Sequence, residues 1–400
     1  MNGTIRVTER EVNFNNVVAK YDRVNTIANG TLNYNTGYQL DFKTAPSPLT
    51  DIFKSIDVQS PFVLGGAAVS QLQLTGKLDR PILTGKFQNS QISQVDRLRI
   101  DRVNGNFKLA DGRIRVDAIV QPKLGGKVTA TGDIQLLKTP QTRFAIAGND
   151  LPGDALLQLY GAKLPSEIKL GNTLVTATIG GVGGDIYTNL QVSAPQSNYP
   201  TIANLQITPQ GKTIVRDATI QAAGGKVDVA GEVDKTNWQL NLRPQDLDTQ
   251  QLAKIVGATL PINYTGKLAG NLQASGLNSD LQLISEATPL EKFVRASGGF
   301  SVSLAAGKII TDRLIIDRGK WQANVSSNAV DLQQLDRSLP SGIISGNLNL
   351  NGNGLQQITT DNLQATGRGQ IKLAAGTISS SNLRSLMVIG KENLLPISFN

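Results

Sequence analysis

The 400-residue sequence contains no cysteine and no histidine. Disulfides, thiolate or imidazole metal centres, Ser-His-Asp triads and cysteine nucleophiles are therefore excluded within it. Aromatic residues are sparse, with ten Phe, seven Tyr and two Trp, which is thin for several independent sandwich cores. No unbroken apolar run reaches the ~18 residues that mark a membrane-spanning helix, and the opening MNGTIRVTEREVNFNN lacks the apolar stretch of a secretory signal. A chain without cysteine is compatible with an oxidising compartment such as a periplasm.

A one-sided charge distribution is also missing. Lys and Arg number 39 against 31 Asp and Glu, a net charge of +8 with both signs scattered along the chain. Scatter of this kind reads as a solvated face. Nucleic-acid binders concentrate basic residues in a patch and, for single strands, add stacking aromatics, so no nucleic-acid partner is expected. A basic surface also suits anionic lipid headgroups, each nearby cation contributing about 1 kcal/mol.

What the sequence does have is alternation with period two, the signature of half-buried strands. Leu72, Leu74 and Leu78 alternate with polar residues, as do Ile114, Val116 and Ala118 between Arg113, Arg115 and Asp117. Trp238, Leu240 and Leu242, and then Leu348 and Leu350, repeat the pattern. The phrase GGKVDVAGEV, with Val227 and Val229 set between Lys226 and Asp228, has a near-copy in GGKVTATGDI from Gly125 and an echo in RGKWQANVSS from Arg318. These thirteen apolar residues are the candidate lining of one surface. Turn signals such as ADGR, PQGK and AAGK separate the strands and suit hairpins that need positive φ. The sequence thus predicts a long antiparallel meander.

Short helical segments interrupt it in a shared frame. DLPGDALLQLYGAKLP begins at Asp150, DLDTQQLAKIVGATLP at Asp246 and DLQQLDRSLP at Asp331, with a weaker version in LTDIFKSIDVQSP. The opening Asp, or an Asp or Thr beside it, is suited to cap the first turn, and the closing proline ends the helix. Leu156, Leu159, Leu252 and Ile255 are expected to face apolar surface. Pro61, Pro165, Pro261 and Pro340 recur at intervals near one hundred residues. This is far longer than a one-coil solenoid repeat, so each module must hold several strands. The spacing divides the chain into a partial β module at 1–45, three modules at 46–148, 149–244 and 245–328, and a partial fourth at 329–400.

Each strand offers an apolar and a polar face, and no long amphipathic helix is present to cover the apolar one. Ordinary β-sandwiches, two sheets about 10 Å apart, are one solution. The other is a curled but open sheet whose aliphatic groove is itself a binding surface. Strands of the type LQLTGKLDRPILTGKF, followed by DGRIRVDA and GGKVTATGDI, the recurring DL…LP segments and LPSEIKLGNTLVTATIGG give the chain a resemblance. It is similar to the periplasmic repeat region of the TamB family of AsmA-like envelope proteins, in the form found in cyanobacteria and plastid inner envelopes.

The resemblance implies an all-β fold, an elongated antiparallel β-taco. This is a U-shaped sheet with an apolar groove, built of repeated modules with short interrupting helices. It further implies a place in the periplasm within an inner-membrane-anchored protein. The expected role is an envelope-spanning bridge that conducts phospholipid between inner and outer membranes and supports outer-membrane biogenesis. The partners so implied are phospholipid acyl chains and an outer-membrane β-barrel protein, with the chain itself a monomer. The family's membrane anchor and its barrel-contacting domain match no residues here, so the chain is expected to be a piece of a longer protein.

Catalytic signals are weak. The acids Asp111, Asp117 and Asp228 fall on turns and outward strand positions, where they are solvated. GKT at 211–213 lacks the upstream glycine of a phosphate loop, and Asp246 and Asp248 suit helix caps better than calcium ligation, which needs a longer loop with a terminal Glu. Neither a cofactor nor an enzyme activity is expected. Besides the lipid bridge, two readings stay open: a scaffold for outer-membrane protein assembly or translocation, and an extracellular fibrous adhesin.

Overall fold

A computed structural model describes residues 3–55, 64–159, 168–255, 266–281, 292–304, 307–335, 341–353 and 363–373. Pro61, Pro165, Pro261, Pro340 and the apolar segment near the C-terminus lie outside these residues. The chain divides into two compact units, Met1–Asn198 with Gln206–Gln210, and Tyr199–Leu205 with Gly211–Asn400.

The first unit is a meander. Its strands are β1 (Thr4–Val7), β2 (Glu11–Tyr21), β3 (Val24–Asn33), β4 (Gly37–Thr44), β5 (Ser47–Pro48), β6 (Leu64–Gly65), β7 (Ala67–Lys77) and β8 (Arg80–Asn89). They are followed by β9 (Ser93–Val95), β10 (Leu98–Ala110), β11 (Arg113–Pro122), β12 (Lys127–Gln135), β13 (Gln141–Pro152), β14 (Asn172–Val182) and β15 (Asp185–Ala194). Helices α1 (Leu49–Ser55) and α2 (Gly153–Leu159) follow β5 and β13. Every pairing is antiparallel, and β5 and β9 extend β4 and β8 along the same neighbours. The ADGR turn joins β10 to β11 with Asp111 at φ 49° and Gly112 at φ 67°, the doubly left-handed conformation that matches strand twist.

The division between units falls within β16 (Thr201–Ile207). The second unit continues with β17 (Thr213–Ala222), β18 (Gly225–Val233), β19 (Asn237–Gln245), β20 (Leu247–Asp248), β21 (Gly266–Leu277) and β22 (Arg295–Leu304). It ends with β23 (Gly307–Asp317), β24 (Lys320–Asp331), β25 (Gly342–Asn353) and β26 (Leu363–Leu373). Helices α3 (Thr249–Ile255), α4 (Asn278–Leu281) and α5 (Leu332–Leu335) interrupt it. Pairing is again antiparallel throughout. The all-β, curled antiparallel class expected from the sequence is the one observed, and the sheet does not close into a barrel.

Antiparallel order fixes where the helices lie. Between α1 and α2 the chain crosses the sheet on β7, β8, β10, β11, β12 and β13, an even number, so both helices project from the same rim. Between α3 and α5 it crosses on β21 to β24, with the same consequence in the second unit. Ion pairs and hydrogen bonds agree: Arg23, in the β2–β3 turn, reaches Asp51 of α1, and Arg97, before β10, donates to the Leu159 carbonyl at the end of α2.

The helix frame differs from its sequence reading. Asp150 and Asp246 are not caps but left-handed residues, at φ 53° and 54°, that bend the strand and bury the next side chain, Leu151 or Leu247. Ala329, at φ 50°, does the same before the buried Val330, so the third frame is offset by two residues and Asp331 corresponds to Asp248. These two are the caps. Asp248 Oδ1 accepts from the Gln250 and Gln251 amides, and Asp331 Oδ1 from those of Gln333 and Gln334.

The repeated glycine phrase is likewise equivalent only in part. Its strands β12 and β18 both lead to a helix-bearing strand, but the first follows a loop with Gly125 and Gly126 at positive φ, and the second a two-residue turn of Ala223 and Gly224. The echo at Arg318 opens β24, which carries its own helix.

Candidate functional site

Register gathers the candidate residues. In the first unit Leu40, Leu74, Leu83, Leu109, Ile114 and Ile134 stand opposite one another across successive strands. The next rung joins Leu72, Gly85, Phe107, Val116, Gly132 and Phe144, and Ala118 lies in the rung beyond, between Gly105 and Ala130. In the second unit Val229, Leu242, Leu272, Gly298, Leu314 and Ala323 form one rung, continued by Leu350. Val227, Leu240, Trp238 and Leu348 occupy the same face in neighbouring rungs. Of the expected residues only Leu78 leaves the pattern. It falls in the β7–β8 turn and is exposed.

In the described paired strands, this face carries no Asp, Glu, Lys or Arg in either unit. The charges lie opposite: Arg113 pairs with Asp133 at 3.6 Å, and Asp228 accepts from Thr219 Oγ1 at 2.9 Å, Gln245 Nε2 at 2.8 Å and Lys226 Nζ at 3.1 Å. The Thr219 and Lys226 bonds hold the Asp228 carboxyl below the ordinary range for aspartate.

The apolar face is not sealed. Leu72, Leu74, Val116, Val229 and Leu350 are half-buried. Among the described residues few large apolar side chains are buried, Leu40 and Trp321 on this face and Ile100, Leu151, Leu247, Val294 and Val330 besides. Two sheets interdigitating across a sandwich would bury leucines and isoleucines completely. This face is therefore an open apolar surface, and the sandwich alternative does not hold.

The helices sit beside it. Leu156, Leu159 and Leu252 are half-buried as expected, but Ile255 is exposed and Ala253 is buried instead. Asp154 of α2 accepts from the Leu170 and Gly171 amides at 2.9 and 3.0 Å, which lowers its pKa and clasps the returning chain to the helix. A cavity of about 580 Å³ opens on the charged face, where Lys43, Gln71, Lys86, Asn104 and Asp117 are among its lining. Its lining also includes Val69 and Ile119 and, from strand positions of the apolar face, Phe87, Gly105 and Ala118. No group of His, Cys, Asp or Glu suited to hold a metal ion occurs among the described residues.

What the fold and this surface define is an all-β repeat protein with an open, uncharged sheet face. Comparison with family models, with characterised proteins and with solved structures finds no match to this chain.

Proposed function

We propose that the uncharged face is a trough for phospholipid acyl chains. The chain is then a periplasmic segment of an envelope-spanning bridge along which phospholipid passes between inner and outer membranes. The observation that carries this reading is the sorting of charge: in the described paired strands one face holds no Asp, Glu, Lys or Arg, while that face remains largely half-exposed. A contiguous apolar surface of this kind is costly in water unless something covers it. A single charge among hydrocarbon costs about 3 kcal/mol on insertion scales, so its complete exclusion matches an occupant made of hydrocarbon. The resemblance to the TamB repeat region supports the same reading and adds an outer-membrane β-barrel partner, which would engage parts of the protein other than these residues.

Native mass spectrometry of the protein purified from cells tests the proposal. Phospholipid adducts are expected, and they should exchange into lipid-free protein on incubation with vesicles. Protein that carries no lipid and takes none up would remove the reading. A scaffold for outer-membrane protein assembly is the second reading. It is favoured by the open apolar face itself, on which an extended apolar segment of another protein could rest as an acyl chain would, Ile5 and Val7 of β1 being 54% and 66% exposed.

A further inference from the structure

Several aromatic side chains of the apolar face are paired with glycines. Phe87 stands opposite Gly105, Phe107 opposite Gly85, Phe144 opposite Gly132, Trp238 opposite Gly276 and Trp321 opposite Gly352. Directly opposed residues have Cβ atoms only about 4.5–5.5 Å apart, so a ring can lie down on the neighbouring strand only where that strand has no Cβ. In three of the pairs the nearest obstacles to a Cβ are side chains and not backbone. A Cβ on Gly105 would meet the Phe87 ring before any other group, and one on Gly276 would fall 2.8 Å from Trp238 Cζ2 and 3.0 Å from its Nε1. One on Gly85 would meet Phe107 Cε1 at 2.5 Å and Leu72 Cδ2 at 2.7 Å.

The backbone does not require glycine at these places. Gly85, Gly105 and Gly276 are absent from the positive-φ residues of the chain. Nor is the indole of Trp238 held by its polar group, because its Nε1 is buried without a hydrogen-bond partner. What fixes the ring is the seat itself. Cross-strand cover of glycine by an aromatic ring stabilises sheets generally, but here it has a second effect. A side chain that would stand perpendicular to the sheet is laid over the neighbouring strand instead, and so reaches less far from the sheet.

We propose that these glycines set the clearance of the trough and thereby its ligand class, admitting slender unbranched acyl chains and excluding methyl-branched ones. This rests on the acyl-chain reading above. A methyl group at Gly276 would overlap the indole and is expected to lift it away from the sheet, into the trough.

The test uses the full chain carrying Trp321→Phe, which leaves Trp238 as the only tryptophan of the two. Adding Gly276→Ala is expected to shift Trp238 emission to the red and increase its quenching by acrylamide without any lipid. It should also cut uptake of dioleoyl phosphatidylcholine from vesicles several-fold. Trp238→Leu is expected to act oppositely, raising uptake of diphytanoyl relative to dioleoyl phosphatidylcholine several-fold. A folded Gly276→Ala protein with unchanged emission overturns the proposal, as does an unchanged diphytanoyl-to-dioleoyl ratio in Trp238→Leu. If Gly276→Ala fails to fold, the Trp238→Leu ratio decides alone. Parent protein that takes up neither lipid refutes the acyl-chain reading itself and this proposal with it, and an emission shift in that case assigns the seat to stability only.

Discussion

Arg23 Nε lies 2.7 Å from Asp51 Oδ2, and the pair ties the β2–β3 turn to the first turn of α1. The partners are unlike: the Arg23 side chain is 68% exposed and that of Asp51 only 7%. Removing the arginine leaves a carboxylate that water barely reaches, whereas removing the carboxylate leaves a solvated guanidinium. Arg23→Ala is therefore expected to loosen α1 more than Asp51→Asn does. Hydrogen exchange at residues 49–55 should accelerate several-fold while the amides of β10 to β13 stay protected, because opening at a rim is local. Equal acceleration across both segments would mean that α1 is integral to the sheet.

Depth along the rim predicts graded losses. Leu247 is 3% exposed and sits opposite Leu268, whereas Leu252 one turn into α3 is only half-buried. Leu247→Ala should cost about 3 kcal/mol, and Leu252→Ala about half of that, since a half-exposed site relaxes more easily. Urea unfolding of each variant gives the comparison, and the reverse order would contradict the placement of α3 at the rim.

Asp154 gives an acid-sensitive clasp. Its carboxyl is held below the ordinary range by the amides of Leu170 and Gly171. A lowered folded value means the contribution is complete above the unfolded aspartate pKa near 3.9. It is lost as pH falls through the lower folded value. Exchange at residues 168–171 should therefore rise in acid, and Asp154→Asn should raise it already at neutral pH. If the variant still shows the acid-dependent rise, another group is responsible.

Charge on the trough separates function from folding. Val229 faces Ala218 and Leu242 on the uncharged side, one residue from the outward Asp228. Because the face is open, water reaches a carboxylate placed there when lipid is absent. Val229→Asp should therefore keep a β circular-dichroism spectrum yet lose most bound phospholipid. Asp228→Val, on the opposite face, should keep its lipid. A folded Val229→Asp protein with full lipid occupancy would count against the trough.

Much of this was legible in the sequence, because strand periodicity is local. Alternation placed Val116, Val229 and Leu350 on one face without any knowledge of which strands meet, and ADGR announced its turn through the φ preferences of Asp111 and Gly112. Leu78 was misplaced because alternation cannot say where a strand stops. The third helix frame slipped because Asp150 and Asp331 do different work, one bending the backbone and one capping, and the letter is the same. The glycine seats could not be read at all. Gly105 and Phe87 are eighteen residues apart, since 105 − 87 = 18, and only the register that brings them opposite explains why either residue type is there.

The even number of crossings from α1 to α2, and from α3 to α5, bears on how such a chain can change length. Duplicating or deleting a hairpin moves a helix along its rim and keeps it on that side. Adding a single strand would send every later helix to the far rim and reverse the direction of each strand behind it. The natural increment of this architecture is therefore the hairpin, about twenty residues at the ~10-residue upper end of ordinary strand length, and relatives that differ in reach are expected to differ by whole multiples of it.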